Sequence, residues 1–213
     1  IVLFEQVGKT LRVESAGDRI AVGVSGGKDS IVLLEALAVR RRWIPIHYDL
    51  HAVHIKVKGI TPDLDIDYYE NLCGDLNITF HHRCIEIDLE RDPNKTVCFV
   101  CAWHRRKELF SAVKELRCHR LALGHHMDDA LETLFLNMTF NGSISSIPPK
   151  LSMFGGEFDI IRPLLLLKEK ERLDMERTLM LGSIASLVQA LEARDMYTRG
   201  HSETVAEVSI GIA

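Results

Sequence analysis

The sequence predicts an α/β fold: a doubly wound, mostly parallel sheet with helices on both faces and a C-terminal helical extension. Three observations predict it. Short β-branched runs alternate with segments of helical spacing, the first run ends at a glycine-rich turn, and a later run ends at a second glycine turn. The composition agrees, because 46% hydrophobic and 26% charged residues are typical of a globular protein. The length of 213 residues allows one sizeable core.

The predicted strands are short runs of aliphatic and β-branched residues. They lie at residues 19–24, 46–57, 78–87 and 120–124. Between them, apolar residues recur on one helix face, as Ile31, Leu34 and Leu37 do after the first strand. This spacing predicts helices at residues 28–42, 63–76, 98–116 and 128–138. In such a sheet ligands lie at the carboxyl ends of the strands, which is where Ser25 and Gly124 fall.

The segment Ser25-Gly-Gly-Lys-Asp-Ser joins the first predicted strand to the first predicted helix. Its two glycines permit a close backbone approach that a Cβ would block, so that N–H groups and the helix N-terminus can point at an anion. The serines offer hydroxyl donors and the lysine a positive charge, while the spacing differs from that of the Walker loop. The alternative is a glycine-rich turn without a ligand. We predict a nucleotide-phosphate site formed by Ser25, Gly26, Gly27, Lys28, Asp29 and Ser30.

A second motif, Gly124-His-His-Met-Asp-Asp, leaves a predicted strand and enters a predicted helix. Asp128 and Asp129 fall in the first helical turn, where carboxylates also suit the helix dipole. An N-cap with acidic neighbours explains one carboxylate, but not two histidines beside two aspartates. We predict Mg²⁺ ligands here, Asp129 first and Asp128 second, with His125 and His126 contacting phosphate or positioning the substrate.

A cysteine pair, Cys98-Phe-Val-Cys101, begins the third predicted helix and precedes a basic run, Arg105-Arg106-Lys107. A lone pair at this spacing fits zinc, an iron–sulfur cluster, a redox couple or two buried thiols. The basic run fits RNA or ATP phosphates, or a solvated helix face. With a net charge of −4, nucleic-acid binding would depend on such local clustering. An odd count of five cysteines fits a reducing cytoplasm.

Together these motifs resemble known proteins. The loop at residues 25–30 resembles the pyrophosphate-loop motif of the ATP pyrophosphatase superfamily, whose members adenylate a substrate and release pyrophosphate. The ordered set of this loop, CxxC with Arg-Arg, and Leu-Gly-His-His-x-Asp-Asp resembles the tRNA 2-thiocytidine synthetase family over about residues 5–172. Pro148-Pro-Lys-Leu and Ile161-Arg-Pro-Leu continue the match.

The resemblance implies ATP-dependent thiolation of a tRNA cytidine in the cytoplasm, by adenylation of the base oxygen at C2 and then replacement by sulfur. It implies Mg²⁺, ATP bound by the loop with Gly124 and His125, and a [4Fe–4S] cluster with Cys98 and Cys101 as two ligands. The implied partners are tRNA and a sulfur donor such as a cysteine desulfurase, with no membrane, and we expect a homodimer. Catalysis then falls on Lys28, Asp129, Cys98 and Cys101, and RNA contacts on Arg105, Arg106 and Lys107.

Two departures from this family keep alternatives open. Its members carry a further cysteine pair beyond the Arg-Pro-Leu segment, which this sequence lacks. The end of the second strand, at residues 52–59, also differs from the family's Asn-Leu-Asp-like ending. The alternatives are another member of the superfamily, sulfurating or amidating a different acceptor, and a non-catalytic ATP-binding module.

The composition changes after about residue 168, which predicts two domains, residues 1–172 and 173–213. Residues 178–213 resemble the opening of an HD-GYP phosphodiesterase domain, through Glu192-Ala-Arg-Asp and Tyr197-Thr-Arg-Gly-His. Only the first histidine of that family's metal-binding set is present, which disfavours a cyclic di-GMP phosphodiesterase. We expect this tail to form two helices.

Overall fold

A computed structural model describes residues 17–45, 47–88, 96–167 and 177. The chain divides into two compact units, Ile1–Arg172 and Leu173–Ala213. Apart from Arg177, the described residues all belong to the first unit, so the predicted tail helices and the HD-GYP resemblance lie outside them. Among the described residues, no helix is long and apolar enough to cross a membrane.

The strands and helices alternate as the sequence pattern predicts, and their bounds agree to within a few residues. The strands are β1 Asp18–Gly23, β2 Tyr48–Val57, β3 Thr79–Ile85, β4 Arg120–Ala122, β5 Lys150–Met153 and β6 Phe158–Ile161. The helices are α1 Lys28–Trp43, α2 Ile66–Asp75, α3 Val97–Glu115 and α4 Met127–Phe140.

The strands form one sheet in the order β3-β2-β1-β4-β6-β5. All neighbours pair in parallel except β5 and β6, which pair antiparallel. In the middle of the sheet, Ala21 of β1 lies opposite His51 of β2 and Leu121 of β4. The predicted mostly parallel α/β sheet is therefore confirmed.

The central strand β1 is buried on both faces, because Ile20, Ala21 and Val22 are all fully inaccessible and successive side chains point to opposite sides. A strand covered on both faces needs a continuous aliphatic run rather than an alternating one, which is what the sequence has. On one face α3 places Ala112 and Val113 in a core with β-strand side chains that include Val53 and Leu121. The sheet therefore fixes where each strand ends and its loop begins.

The β5–β6 hairpin at the sheet edge is absent from the predicted elements. β5 is a short strand with largely exposed side chains, so its sequence lacks the buried run that predicts the other strands. β6 is buried and pairs with β4, which places the residues after Ile161 beside those after Ala122. This hairpin also places Phe154, at its turn, against α3.

Candidate functional site

The site lies where the strand order reverses. β1 and β4 are neighbours in the middle of the sheet. After β1 the chain adds β2 and β3 on one side, and after β4 it adds β5 and β6 on the other side. A crevice opens at the carboxyl ends of strands at such a switch point, and ligands of open α/β sheets bind there. The loop after β1, residues 24–27, and the loop after β4, residues 123–126, meet at this crevice.

The first loop is held in shape by its own serines. The Ser30 hydroxyl donates to the Gly27 carbonyl at 2.7 Å and accepts from the Ser25 backbone N–H at 3.3 Å. The Ser25 hydroxyl in turn accepts from the Gly27 N–H at 3.3 Å. Ser30 is buried beneath the loop. The sequence predicts these hydroxyls as anion donors, whereas in the structure both are engaged within the loop and fix its geometry.

The N-terminus of α1 is the part of this loop that faces outward to a ligand. Its N-cap is Gly27, and no side chain caps it. The first N–H groups of a helix have no partner within the helix, and together with the dipole they form an anion site. Gly26 has φ +89°, a backbone conformation that favours glycine, and a Cβ there would also displace the Leu64 side chain, whose Cδ1 would lie 2.9 Å away. Lys28 begins the helix beside this site.

The two motifs touch through Gly124. A Cβ on this residue would lie 3.0 Å from the Asp29 carbonyl oxygen and 3.2 Å from the Ser30 nitrogen. Both atoms belong to the backbone of the first turn of α1, which cannot move aside as a flexible side chain can. The structure thus brings the Ser25–Ser30 and Gly124–Asp129 segments into direct contact.

The second motif begins α4 with a capping box. His126 Nδ1 accepts from the Asp128 N–H at 3.3 Å, and Asp129 Oδ2 accepts from the His126 N–H at 2.7 Å. Asp129 therefore uses one carboxylate oxygen to hold the helix start. Asp128 Oδ2 is buried and accepts no hydrogen bond from the described residues, although His126 Nδ1 lies 3.5 Å away. A buried carboxylate oxygen without a hydrogen bond is suited to bind a cation. Asp128 is therefore as good a candidate for a Mg²⁺ ligand as Asp129.

Two arginines, one on α3 and one after β6, act on a partly buried histidine beside this cap. Burial lowers the pKa of His125, and the charges of Arg162 and Arg106 lower it further, so its imidazole is neutral at pH 7. Arg162, directly after β6, is buried and donates to the Pro148 carbonyl at 2.5 Å. Burial and Arg106 lower its pKa as well. Two neighbouring guanidinium groups and a neutral histidine form a setting that an anion would stabilise.

His54 of β2 is a site residue that the sequence reasoning missed. It is buried, and its Nδ1 lies 2.8 Å from the carbonyl of Val24, the residue before the loop. A carbonyl only accepts, so Nδ1 carries the proton and the buried Nε2 is left without a partner among the described residues. Burial lowers the pKa of His54, and Arg105 on α3 lowers it further. No motif surrounds His54 in the sequence, so its role is visible only from its burial and its bond to Val24.

The three basic residues of α3, Arg105, Arg106 and Lys107, differ in their surroundings. Arg105 acts on His54 and Arg106 acts on His125, as their effects on those pKa values require, so both arginines lie near the crevice. Lys107 instead lies over the ring of the exposed Trp103, with Nζ 5.5 Å from the ring centroid. The three predicted RNA-binding residues are therefore divided between the crevice and the outer surface of the helix.

The cysteine pair lies in the first two turns of α3. Thr96 caps this helix, because its hydroxyl accepts from the Phe99 N–H at 3.3 Å. Cys98 is exposed and Cys101 is buried. A cubane cluster takes four ligands, usually thiolates. Within residues 17–45, 47–88 and 96–167, no group of three His, Cys, Asp or Glu side chains could hold a metal ion. Burial raises the pKa of the remaining buried thiols, Cys73 and Cys118, to about 11, which does not favour thiolate ligands. The described residues alone thus do not fit a complete iron–sulfur cluster.

Comparison with known proteins gives relatives whose sequences match most of the described part. The chain is 38% identical over 169 residues to a tRNA-cytidine(32) 2-sulfurtransferase of Citrifermentans bemidjiense, covering 76% of this chain and 65% of that protein. It is 40% identical over 157 residues to the enzyme of the same name from Aeromonas hydrophila, covering 73% and 52%. The chain therefore spans between about half and two thirds of the length of these relatives.

A solved structure shares the fold. The U34-tRNA thiolase NcsA of Methanococcus maripaludis, determined with its [4Fe-4S] cluster, superposes with a TM-score of 0.66 at 24% identity. The match covers 91% of this chain and 73% of that one. At this identity the likeness supports the fold alone. The model of the PP-loop domain family matches residues 3–200. With the glycine loop, the Gly124 contact and this match in agreement, the chain belongs to the PP-loop domain family.

Proposed function

We propose that this protein is an ATP-dependent tRNA sulfurtransferase that converts a cytidine to 2-thiocytidine. The observation that carries the proposal is the contact of Gly124 with the backbone of Asp29 and Ser30, which joins the phosphate loop to the acidic cap in one crevice. The names of the relatives, all tRNA-cytidine(32) 2-sulfurtransferases, supply the substrate and position 32.

In the proposed reaction, ATP lies with its phosphates at the N-terminus of α1, with Lys28 beside them. The oxygen at C2 of the cytidine attacks the α-phosphorus, the bond to the β-phosphate oxygen breaks, and pyrophosphate leaves. Sulfur delivered as a persulfide by a cysteine desulfurase is reduced by two electrons from a thiol reductant to the level of sulfide. It then attacks C2, the bond from C2 to the adenylated oxygen breaks, and AMP leaves with the former base oxygen. The adenylate makes that oxygen a good leaving group, which is the reason for using ATP.

The convergent side chains have clear roles in this scheme. Asp128 and Asp129 are the residues that would hold a Mg²⁺ ion, which would neutralise charge on the phosphates. Arg106, Arg162 and neutral His125 donate hydrogen bonds to the charge that develops on the leaving pyrophosphate. His54 holds the Val24 carbonyl and so positions the loop from below.

Cys98 and Cys101 remain the proposed thiols for sulfur chemistry, as ligands of a [4Fe–4S] cluster. The described residues supply only this pair, so no step is assigned to a cluster here. We further propose tRNA and a cysteine desulfurase as partners, a homodimer, and a cytoplasmic location, which suits five cysteines that are all free. The division into domains at residues 172 and 173 and the HD-GYP resemblance of the tail also stay predictions.

The experiment is a turnover assay on the full chain under anaerobic conditions after reconstitution with iron and sulfide. ATP, Mg²⁺, an unmodified tRNA transcript, a cysteine desulfurase with cysteine, and a dithiol reductant are supplied. We expect pyrophosphate release that requires tRNA, and 2-thiocytidine at position 32 by nucleoside mass spectrometry. Lys28→Ala should abolish both, while Lys58→Ala, at an exposed ion pair with Glu86, should change neither.

Two outcomes would contradict the proposal. ATP binding without tRNA-dependent pyrophosphate release would indicate a non-catalytic nucleotide-binding module. Pyrophosphate release with a thiolated or amidated product other than 2-thiocytidine would indicate another reaction of the superfamily. Iron and sulfide analysis of the same preparation tests the cluster separately from turnover.

A further inference from the structure

A groove of about 480 Å³ runs along the outer face of α3, outside the crevice. It is bounded by one stripe of that helix and by the turn of the β5–β6 hairpin. The side chains that line it are aromatic or cationic, with one serine: Trp103, Arg106, Lys107, Phe110, Ser111, Lys114 and Phe154. Apart from Arg106, these residues have no role in the ATP chemistry described above.

The stripe follows from helical periodicity. Trp103, Lys107, Phe110 and Lys114 are spaced at i, i+4, i+7 and i+11, which puts their side chains on one face of α3. At a rise of about 1.5 Å per residue, the stripe is about 16 Å long. Phe154 closes one end, because the hairpin turn brings its ring to 5.9 Å from that of Phe110 in an edge-to-face arrangement.

The aromatic rings in the groove are available to a partner. Trp103 is 51% exposed and Phe154 is 52% exposed. Phe158, buried behind Phe154 with ring centroids 5.8 Å apart, anchors the hairpin ring without covering it. Half-exposed aromatic rings of this kind suit stacking against a flat partner.

A lysine ammonium group lies over each of these two rings. Lys107 Nζ lies 5.5 Å from the Trp103 centroid, and Lys114 Nζ lies 4.0 Å from the Phe154 centroid. Lys114 also pairs with Glu157 at 2.5 Å, but both side chains are about half exposed, so this pair contributes little and can be replaced. Each exposed ring therefore has an ammonium group within reach of whatever stacks there.

We propose that this groove binds an unpaired segment of the tRNA substrate, with bases stacked on Trp103 and Phe154 and phosphates on Lys107 and Lys114. The proposal rests on the proposed function, which makes RNA the substrate. Charge complementarity favours this occupant, because the lining carries three cations and no carboxylate. Alternating aromatic rings and cations are what single-stranded RNA requires, since every base has a π-face and every nucleotide a phosphate.

Arg106 is the lining residue that also acts at the acidic cap. It lines the groove, and its charge lowers the pKa of His125 beside the cap. In the proposal, an RNA strand along α3 passes Arg106. From there it reaches Lys114, eight residues further along the helix and about 12 Å away by helical rise.

Fluorescence and salt dependence test this inference on the full chain. The protein has two tryptophans, so Trp43→Phe leaves Trp103 as the sole reporter. We expect unmodified tRNA to quench Trp103. Trp103→Ala should weaken tRNA binding about 5- to 100-fold, and Trp103→Phe should restore most of the affinity because it keeps a stacking face. Lys114→Ala should reduce the slope of log affinity against log salt by about 0.7.

Matched controls are Tyr68→Ala, which removes an aromatic ring of similar exposure on α2, and Lys58→Ala. Both should bind tRNA as the unmodified protein does. If Trp103→Ala and Lys114→Ala also retain full affinity and salt slope, the groove does not bind RNA, and a protein partner would be its remaining use.

The inference about the groove can be wrong even if the proposed function is right. Wild-type protein that thiolates tRNA, while the groove variants retain tRNA affinity, overturns the groove alone. Wild-type protein that binds no tRNA at all overturns both. A loss of affinity in Trp103→Ala that Trp103→Phe does not restore would indicate a structural rather than a stacking role and would also contradict the proposal.

Discussion

The phosphate loop and the α3 groove are two proposed binding surfaces built in opposite ways. In the loop, hydroxyls of Ser25 and Ser30 bond to the loop's own backbone, and Gly124 lies against that backbone with no room for a Cβ. In the groove, half-exposed rings and cations contact one another through faces and edges. The first arrangement is preorganised and intolerant of added atoms. In the groove, truncation of a side chain is expected to weaken tRNA binding without destabilising the fold.

The strongest test of this contrast adds one methyl group to the loop side. In Gly124→Ala the new Cβ would meet the backbone of Asp29 and Ser30 at 3.0–3.2 Å. We expect a loss of about 1–3 kcal/mol in the free energy of unfolding, as for other overpacked sites. If half of that cost falls on the binding-competent loop, ATP affinity should fall about 2- to 13-fold. Urea unfolding and calorimetric titration with ATP measure the two effects.

Gly74→Ala is the matched control, because Gly74 lies in α2 with nothing within 4 Å of its added Cβ. This change should stabilise the protein by up to about 1 kcal/mol and leave ATP affinity unchanged. An ATP affinity of Gly124→Ala equal to that of Gly74→Ala would show that the contact between the two motifs does not shape the nucleotide site.

The second test separates the two roles of Asp129. Asparagine at this position keeps an oxygen for the His126 N–H but removes the charge. Asp129→Asn should therefore cost only about 0.3–1 kcal/mol of stability, from the lost interaction with the helix dipole. If Asp129 also holds Mg²⁺, the gain in ATP affinity on adding Mg²⁺ should shrink several-fold, as measured by titration with and without the metal.

The comparison variant is Asp128→Asn, which changes the carboxylate whose Oδ2 is buried without a hydrogen bond among the described residues. An undiminished Mg²⁺ effect in Asp129→Asn together with a lost effect in Asp128→Asn would assign the metal to Asp128. Undiminished effects in both would leave the carboxylates with a capping role only.

The same contrast explains what could be read from the sequence. The strands, the loop and the acidic cap are local patterns, and both motifs were found because each follows a buried run of residues. The meeting of Gly124 with Asp29 depends on β1 and β4 being neighbours, which the local pattern does not encode. Phe154 belongs to an edge hairpin with exposed side chains, so the groove it completes was beyond local reasoning. His54 has no motif around it, and only its burial and its bond to Val24 identify it.

The smallest expected effect is a pH dependence of stability, which comes from the buried histidine beside the phosphate loop. Burial lowers the pKa of His54 in the folded protein below the value of about 6.5 that it has when unfolded. Between those two values the unfolded chain binds more protons than the folded one, so stability falls as the pH falls below about 6.5. His51, His81 and His125 are shifted in the same direction, chiefly by burial, and add to this slope.

His54→Asn keeps a donor for the Val24 carbonyl and removes the titrating group, so the loss of stability between pH 7 and pH 5 should be smaller than in the unmodified protein. Urea unfolding across this range measures it, with His47→Asn, at an exposed histidine before β2, as the control. An unchanged slope in His54→Asn would mean that protonation of His54 does not strain the loop. A reduced slope, with the control unaffected, would place a neutral histidine among the groups that hold the phosphate loop in its binding shape.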